Sequence, residues 1–201
     1  MHRVFISYHH ANDQFYKEQL LAWNQSSPLF LDYSVDTGNI PDHWDDQTIR
    51  QKIRDEYLRD SSVTILLVGT ETKKRKHIDW EIYSSMYDGI KNKKSGLLII
   101  NLPSTGCTYY TAAHEEEKTK IYPENTFWIS ISNRSDYQNR YPYMPERIID
   151  NLLKKEAKVS VTNWSKIVSD WSNLDLMIEN AYNARTKCEY DLSRPMRRSN
   201  S

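Results

Sequence analysis

Cysteine and glycine are scarce in this sequence. Only Cys107 and Cys188 occur among 201 residues; they lie far apart and form no CxxC or Cys/His ligand spacing, so we expect no metal site. A disulfide between them is one alternative, but free thiols in a reducing cytoplasm are the simpler interpretation. The five glycines form no Gly-rich phosphate loop, which argues against ordinary dinucleotide binding of the Rossmann type.

Net charge and long apolar runs are also missing. Lys plus Arg and Asp plus Glu are equal at 27 each, so no overall field favours nucleic acid or an anionic membrane as a partner. No apolar stretch approaches the roughly 18 residues that a membrane-spanning helix needs, and the start shows no signal-peptide pattern. We therefore expect a cytoplasmic protein that binds neither nucleic acid nor membrane.

Apolar strands alternate with amphipathic helices through the first hundred residues. The predicted strands are Val4–Tyr8, Leu29–Ser34, Val63–Val68 and Leu97–Asn101. The helices between them are marked by Tyr16, Leu20 and Trp23 (capped by Asn12 or Asp13), by Ile49, Ile53 and Tyr57, and by Ile78, Ile82, Met86 and Ile90. This alternation predicts an α/β fold with a doubly wound parallel sheet of five strands in the order 2-1-3-4-5.

The second half of the chain is less regular. Residues 103–145 are rich in Tyr, Asn and Pro and predict an irregular insertion before the last strand, Lys158–Thr162, which we place at a sheet edge. We expect residues 1–192 to form a single domain that contains this insertion. Residues 193–201 carry three arginines and predict a flexible basic tail.

The topology predicts where a ligand binds. In open α/β sheets, ligands bind at the carboxyl ends of the strands where the strand order reverses, here between the first strand and Val63–Val68. The polar residues that this places together are Ser7, Tyr8, His9, Asp32, Ser34, Asp36, Gly69, Thr70 and Glu81.

Four short motifs resemble a known family. They are VFISYHH at the start, LDYS on the second strand, SSVTILLVG on the third, and DWEI in the following helix. Together they resemble the bacterial TIR-like domains, in the branch that includes the NAD-consuming protein of the Thoeris anti-phage system. The resemblance covers residues 3–101 by motif and 146–185 by element order, and it implies a flavodoxin-like fold.

The resemblance also implies a catalytic residue. The family's glutamate early in the helix after the third strand corresponds to Glu81; the alternative is an ordinary acid that complements the helix dipole. One departure concerns the pocket wall, because His77 stands where the family often has a tryptophan and Trp80 is adjacent to Glu81. Trp44 and Trp80 are candidates to stack on a nicotinamide or adenine ring, with core packing as the alternative that we favour for Trp80.

The implied activity is cleavage of the nicotinamide–ribose bond of NAD, which is then a substrate and not a cofactor. Ser7, Tyr8, His9, Thr70 and residues 32–36 would shape the pocket, with no general base among the histidines. The product would be an ADP-ribose-derived signal nucleotide, either hydrolysed or cyclic, read by a downstream effector protein. The alternative is a non-catalytic adaptor or nucleotide sensor that works through self-association as a homo-oligomer.

Overall fold

A computed structural model describes residues 1–34, 40–41 and 43–201 of the chain. These residues contain one parallel sheet of five strands in the order β2-β1-β3-β4-β5. The strands are β1 (His2–Ser7), β2 (Phe30–Asp32), β3 (Val63–Val68), β4 (Gly96–Asn101) and β5 (Ser160–Asn163). The predicted α/β class, the strand order, the central position of Val63–Val68 and the edge position of the last strand are all confirmed.

Helices cover both faces of the sheet. They are α1 (His10–Ser26), α2 (Asp46–Lys52, continued by a π-helical turn at Ile53–Tyr57), α3 (Lys76–Met86), α4 (Glu115–Lys120), α5 (Arg134–Arg140), α6 (Glu146–Leu152), α7 (Trp164–Ser169) and α8 (Ser172–Ala184). Core residues of α1, α7 and α8 pack on one face, and those of α3 and α6 on the other.

The central strand β3 is buried along its whole length, with all six residues at 1% exposure or less. Successive side chains point to opposite faces of a strand; accordingly, Val63, Ile65 and Leu67 join one core cluster, and Leu66 and Val68 join the other. Residues Ser7 of β1 and Leu66 of β3 are paired. The carboxyl ends of these two strands therefore lie side by side, as the predicted topology requires.

Helix α3 ends earlier than its apolar spacing predicts. Its last helical residue is Met86, and Ile90 is 98% exposed, so the assignment of Ile90 to the buried face is wrong. The next residues form a tight turn in which the Gly89 N–H donates to the Asn92 carbonyl at 3.1 Å. This turn redirects the chain before another helical turn can bring Ile90 back to the core.

Two other element starts differ from prediction. Helix α1 begins at His10 with His9 at the capping position, so Asn12 and Asp13 lie inside the helix and do not cap it. The last strand begins at Ser160 because Lys158 has a left-handed backbone with φ of 53°, which a strand does not accommodate. Helix α2 has a side-chain cap, because the Asp45 carboxylate accepts the Thr48 N–H at 2.9 Å.

The insertion, residues 103–145, is irregular as predicted, with α4, α5 and one isolated antiparallel bridge from Thr111 to Val161. It nonetheless fills part of the core. Tyr122 is 0% exposed and Tyr141 is 2% exposed, one in each of the two large apolar clusters. The insertion is therefore packed into the domain and covers the outer edge of β5.

Residues 194–198 lie against α3 and α6. The Met196 side chain is buried among residues of α2 and α3, and the Arg197 N–H donates to the Asp79 carboxylate at 2.8 Å. Arg198 donates to the Trp44 carbonyl at 2.8 Å. The sequence predicts a flexible tail at these residues, and this stays a prediction. In the structure, residues 194–198 make the contacts of a packed segment.

Cys107 and Cys188 are both free thiols. In the described ranges, no helix combines the length and the apolar character that crossing a bilayer requires.

Candidate active site

Glu81 lies in the second turn of α3, at the carboxyl ends of β1 and β3. Its side chain is buried, with 5% of the residue exposed. The Ser7 hydroxyl, at the end of β1, donates a hydrogen bond of 2.6 Å to Glu81 Oε2. The structure thus joins two residues that are 74 positions apart in sequence and were both predicted to meet at this crevice.

A cavity of about 220 Å³ opens at Glu81. It lies between the ends of β1 and β2 and the first turns of α1. Its lining consists of Phe5, Ile6, Tyr8, His10, Gln14, Lys17, Ser34 and Glu81. Of the predicted substrate-binding residues, Tyr8 and Ser34 line this cavity and Ser7 supports its carboxylate.

One wall of the cavity is built on Tyr8 and helix α1. The Tyr8 ring stacks on His10 with centroids 4.4 Å apart, and the Tyr8 hydroxyl donates to Gln14 Oε1 at 2.5 Å. Lys17 Nζ lies 5.8 Å from the Tyr8 ring centroid. Sequence reasoning missed Gln14 and Lys17, although positions 10, 14 and 17 share one helix face, about 120° around the helix from the apolar face.

The second strand contributes through short local contacts. Ser34 Oγ accepts the Ile6 N–H at 3.0 Å, which fixes the end of β2 beside β1. Asp32 is exposed, and its carboxylate accepts the Ser34 N–H at 2.9 Å. Asp32 therefore orients the turn, while Asp36, the third predicted residue of this segment, lies outside the described residues.

His9, predicted to line the pocket, is not among the cavity's lining residues; His10 takes that place. Nδ1 of His9 is buried and has no hydrogen-bond partner among the described residues. Burial, followed by the positive charge of Arg75, lowers the pKa of His9 below its usual value.

Asp13 is a buried carboxyl group beneath the start of α1 that sequence reasoning treated only as a helix cap. It is 2% exposed, and burial raises its pKa to about 6. A Cβ added at Gly69 would lie 2.4 Å from Asp13 Oδ2, so the Asp13 carboxylate would have to move if a larger residue replaced this glycine. The close approach of these two residues holds α1 against the end of β3.

The structure does not bring Trp80, Trp44 or Thr70 to the cavity. Trp80 is 1% exposed in the core, where Nε1 donates to the Arg197 carbonyl at 2.7 Å. Trp44 is half-buried and packs against the same apolar cluster. Thr70 lies in the turn after β3. The core-packing interpretation that we favoured for Trp80 matches its position.

The basic loop 73–76 is held by local contacts. Lys73 donates to the Pro142 carbonyl, and Lys74 and Arg75 both form ion pairs with Glu71, at 3.0 and 3.3 Å. The single carboxylate of Glu71 therefore offsets part of the positive charge of this loop.

A comparison with protein families identifies the chain's relatives. The family described as Thoeris protein ThsB, TIR-like domain, matches residues 5–106, half of the chain. The chain belongs to that family. A search of curated proteins found no match. The matched part of this TIR-like domain includes the last three residues of β1, all of β2, β3 and β4, the Ser7–Glu81 hydrogen bond and every described residue that lines the cavity.

Proposed function

We propose that this TIR-like defence protein cleaves the nicotinamide–ribose bond of NAD, with Glu81 as the catalytic carboxylate. The observation that carries the proposal is the position of Glu81: buried at 5% exposure, held by Ser7, and open to a cavity at the point where the strand order reverses. Membership of the Thoeris ThsB family supports the same activity.

The chemistry requires a single carboxylate. Cleavage of the bond develops positive charge on the ribose, as in glycoside hydrolysis. A glycosidase also needs an acid to protonate its leaving oxygen, but nicotinamide departs as a neutral molecule and needs no such proton. A carboxylate fixed in a site of low water content stabilises this developing charge without reorganising. Ser7 would keep one carboxylate oxygen in place for that role.

The size of the cavity fits one end of the substrate. Sites for small molecules typically enclose about 300 to 1,000 Å³, and the Glu81 cavity encloses about 220 Å³. We infer that it takes the nicotinamide riboside end, with the Tyr8–His10 pair and Lys17 along one wall. The ADP end would then extend beyond the described lining, and the ADP-ribosyl product, hydrolysed or cyclised, would serve as a signal for an effector protein.

Replacing Glu81 by Gln tests the proposal. The change keeps the size and an acceptor for the Ser7 hydroxyl but removes the negative charge. We expect the rate of nicotinamide release from NAD, measured by chromatography, to fall by about a hundredfold or more. The variant should unfold thermally at or above the parent's temperature, because the change removes a buried charge.

Glu71→Gln is the matched control. Glu71 also follows β3 but pairs with Lys74 and Arg75 and does not line the cavity, so this variant should retain the parental rate. Nicotinamide release by Glu81→Gln at the parental rate would show that Glu81 is not the catalyst. Absence of turnover by the parent, in both dilute and concentrated solution, would favour the adaptor function.

A further inference from the structure

A second and larger cavity lies on the insertion side of the domain. It encloses about 390 Å³ between residues 110–113, residues 128–131, the end of α6 and the residues that lead into β5. It shares no lining residue with the Glu81 cavity. It reaches Lys158 and Val159, which precede β5, whereas the Glu81 cavity lies where strands end. The two cavities are therefore separate sites.

The lining of this cavity is strongly basic. Its charged side chains are Lys118, Arg140, Lys154, Lys155 and Lys158, and no carboxylate of the described residues lines it. We call it the basic pocket. Lys118 and Lys154 form ion pairs with Glu115 and Glu189, at 3.0 and 3.5 Å.

Lys155 and Lys158 are exposed, and neither forms an ion pair within the described residues. In a chain with no net charge, such a concentration of cations attracts an anion locally.

Lys158, at the edge of the basic pocket, has an unusual backbone conformation. Its backbone is left-handed, with φ of 53° and ψ of 45°. That conformation ends the short helical turn Lys155–Ala157 and is most easily adopted by Gly, Asn and Asp. A lysine is thus kept at the edge of the pocket in a position where glycine or asparagine would be less strained.

Aromatic rings form the opposite wall. Tyr110 stacks on the buried Tyr122, with centroids 3.9 Å apart and planes at 4°. Trp128 packs edge-on against both, at 5.9 and 6.1 Å, and Lys118 Nζ lies 5.6 Å from the Trp128 ring. The wall is therefore fixed by ring packing, and it combines a surface suited to a flat ring with cations suited to phosphate.

We propose that the basic pocket binds a nucleotide that carries two or more phosphates. The phosphates lie against Lys155 and Lys158, and the base lies against Trp128 and Tyr110. The volume of about 390 Å³ falls within the range typical of small-molecule sites. The proposal does not depend on NAD cleavage at Glu81.

Calorimetric titration of the full chain with inorganic pyrophosphate, ATP and adenosine tests the proposal. We expect ATP and pyrophosphate to bind, ATP more tightly, and both to weaken as sodium chloride is added. In the variant Lys155→Gln/Lys158→Asn, both affinities should fall by about tenfold or more. Asparagine tolerates the left-handed backbone at residue 158, so this variant should fold.

The matched control is Lys91→Gln/Lys187→Gln, which removes two exposed lysines outside the basic pocket and should leave both affinities unchanged. Trp128→Leu should weaken ATP more than pyrophosphate. If circular dichroism shows that Trp128→Leu is misfolded, the lysine variant decides alone.

Three results would overturn the proposal. They are an absence of binding by ATP and pyrophosphate, affinities that do not change in the lysine variant, and ATP binding no tighter than pyrophosphate. If ATP binds no tighter than pyrophosphate, the pocket recognises phosphate alone and not a nucleotide.

Discussion

At the scale of single residues, Glu117 carries the clearest pH-dependent consequence. Its side chain is 0% exposed; it accepts a hydrogen bond from the Ser160 hydroxyl at 2.5 Å and another from the Asn180 amide at 3.4 Å. Burial raises its pKa from 4.5 to about 7, although both hydrogen bonds act in the opposite direction. The folded protein therefore holds a proton that the unfolded chain releases.

Replacing Glu117 by Gln should remove this dependence. Between pH 4.5 and 7 the unfolded state binds fewer protons at this site, so the parent loses stability as pH rises through that interval and then levels off. We expect the variant's unfolding free energy relative to the parent to rise over the same interval, by about 3 kcal/mol in all. Urea unfolding of the parent and the variant at a series of pH values measures this difference in unfolding free energy.

Asp13, whose pKa is also raised, to about 6, titrates in both proteins and cancels in this difference. Glu116→Gln is the comparison variant, measured at the same pH values, because Glu116 is an exposed neighbour in the same helix and lacks the burial that raises the pKa of Glu117. A difference for Glu117→Gln that stays flat from pH 4.5 to 7 would contradict the prediction.

The residues of the site were predictable to different degrees. The meeting of Glu81 and Ser7 was predictable, because strand order alone places the ends of β1 and β3 together and the sequence motifs mark helix α3, which follows β3. Trp80 packs in the core, the alternative favoured from the sequence, because a tryptophan beside Glu81 in sequence points about 100° around the helix from it. Asp13 was missed because burial of a carboxylate depends on a neighbour distant in sequence, Gly69.

At the scale of elements, helices α3 and α6 are joined by a buried ion pair. Arg147 Nε and Nη2 donate to the two carboxylate oxygens of Asp79 at 2.8 and 3.0 Å, and the Arg147 side chain is 0% exposed. Arg147 also donates to the carbonyls of Arg194 and Pro195, at 2.8 and 3.1 Å. The pair thus connects the two helices to each other and to residues 194–197. Its carboxylate, Asp79, lies two positions before Glu81 in sequence.

Replacing Arg147 by Met should lower the unfolding free energy by about 3 to 5 kcal/mol, because it leaves the Asp79 carboxylate buried without its cation. Adding Asp79→Asn should recover part of the loss, since it removes the uncompensated charge. Urea denaturation of the parent, both single variants and the double variant gives the coupling between the two sites.

The exposed pair of Lys120 and Glu116 is the comparison, and Lys120→Met should change stability by less than about 1 kcal/mol. A double variant less stable than Arg147→Met would show that the charge on Asp79 is not the cause of the loss.

The elements were predictable where local pattern decides them. Strands β1, β3 and β4 are short apolar runs bounded by polar segments, and such runs fix both element type and place in a parallel sheet. Ends set by tertiary context were less predictable: Ile90 continues the helical spacing, yet the turn from Gly89 to Asn92 stops the helix. The docking of Met196 was also hidden, since one methionine in a basic, polar tail shows no periodicity.

At the scale of the whole molecule, the residues that match the family form only part of the sheet and of its core. Strand β4 lies inside the match, but β5, which pairs with it, lies beyond residue 106. Leu98 and Ile100 of β4 share one cluster with Leu174 and Ile178 of α8. A backbone oxygen of α8 would lie 2.0 Å from a Cβ at Gly96, so this helix approaches β4 closely.

We therefore expect residues 1–106, expressed alone, not to fold. Without α8, β4 would lose the cover of one face, and without α6 only α3 would remain on the other. Without β5, β4 would also have an unpaired edge, and the remaining core would be too small to offset the chain entropy. Circular dichroism should show little regular structure and no thermal transition, in contrast to a single cooperative transition for the full chain. A cooperative transition in the fragment would show that the matched residues are a folding unit.

The backbone bridge between Thr111 and Val161 also limits how many copies of the chain could join through the edges of their sheets. Thr111 and Val161 exchange two backbone hydrogen bonds, at 2.9 and 2.8 Å, so the outer side of β5 is already occupied there. At the other margin, no strand of the described residues pairs with the outer side of β2. Strand addition between copies can then use one edge per molecule, and two copies joined through β2 would leave no edge for a third. Strand addition through β2 would therefore join two copies at most and would not propagate into a fibre.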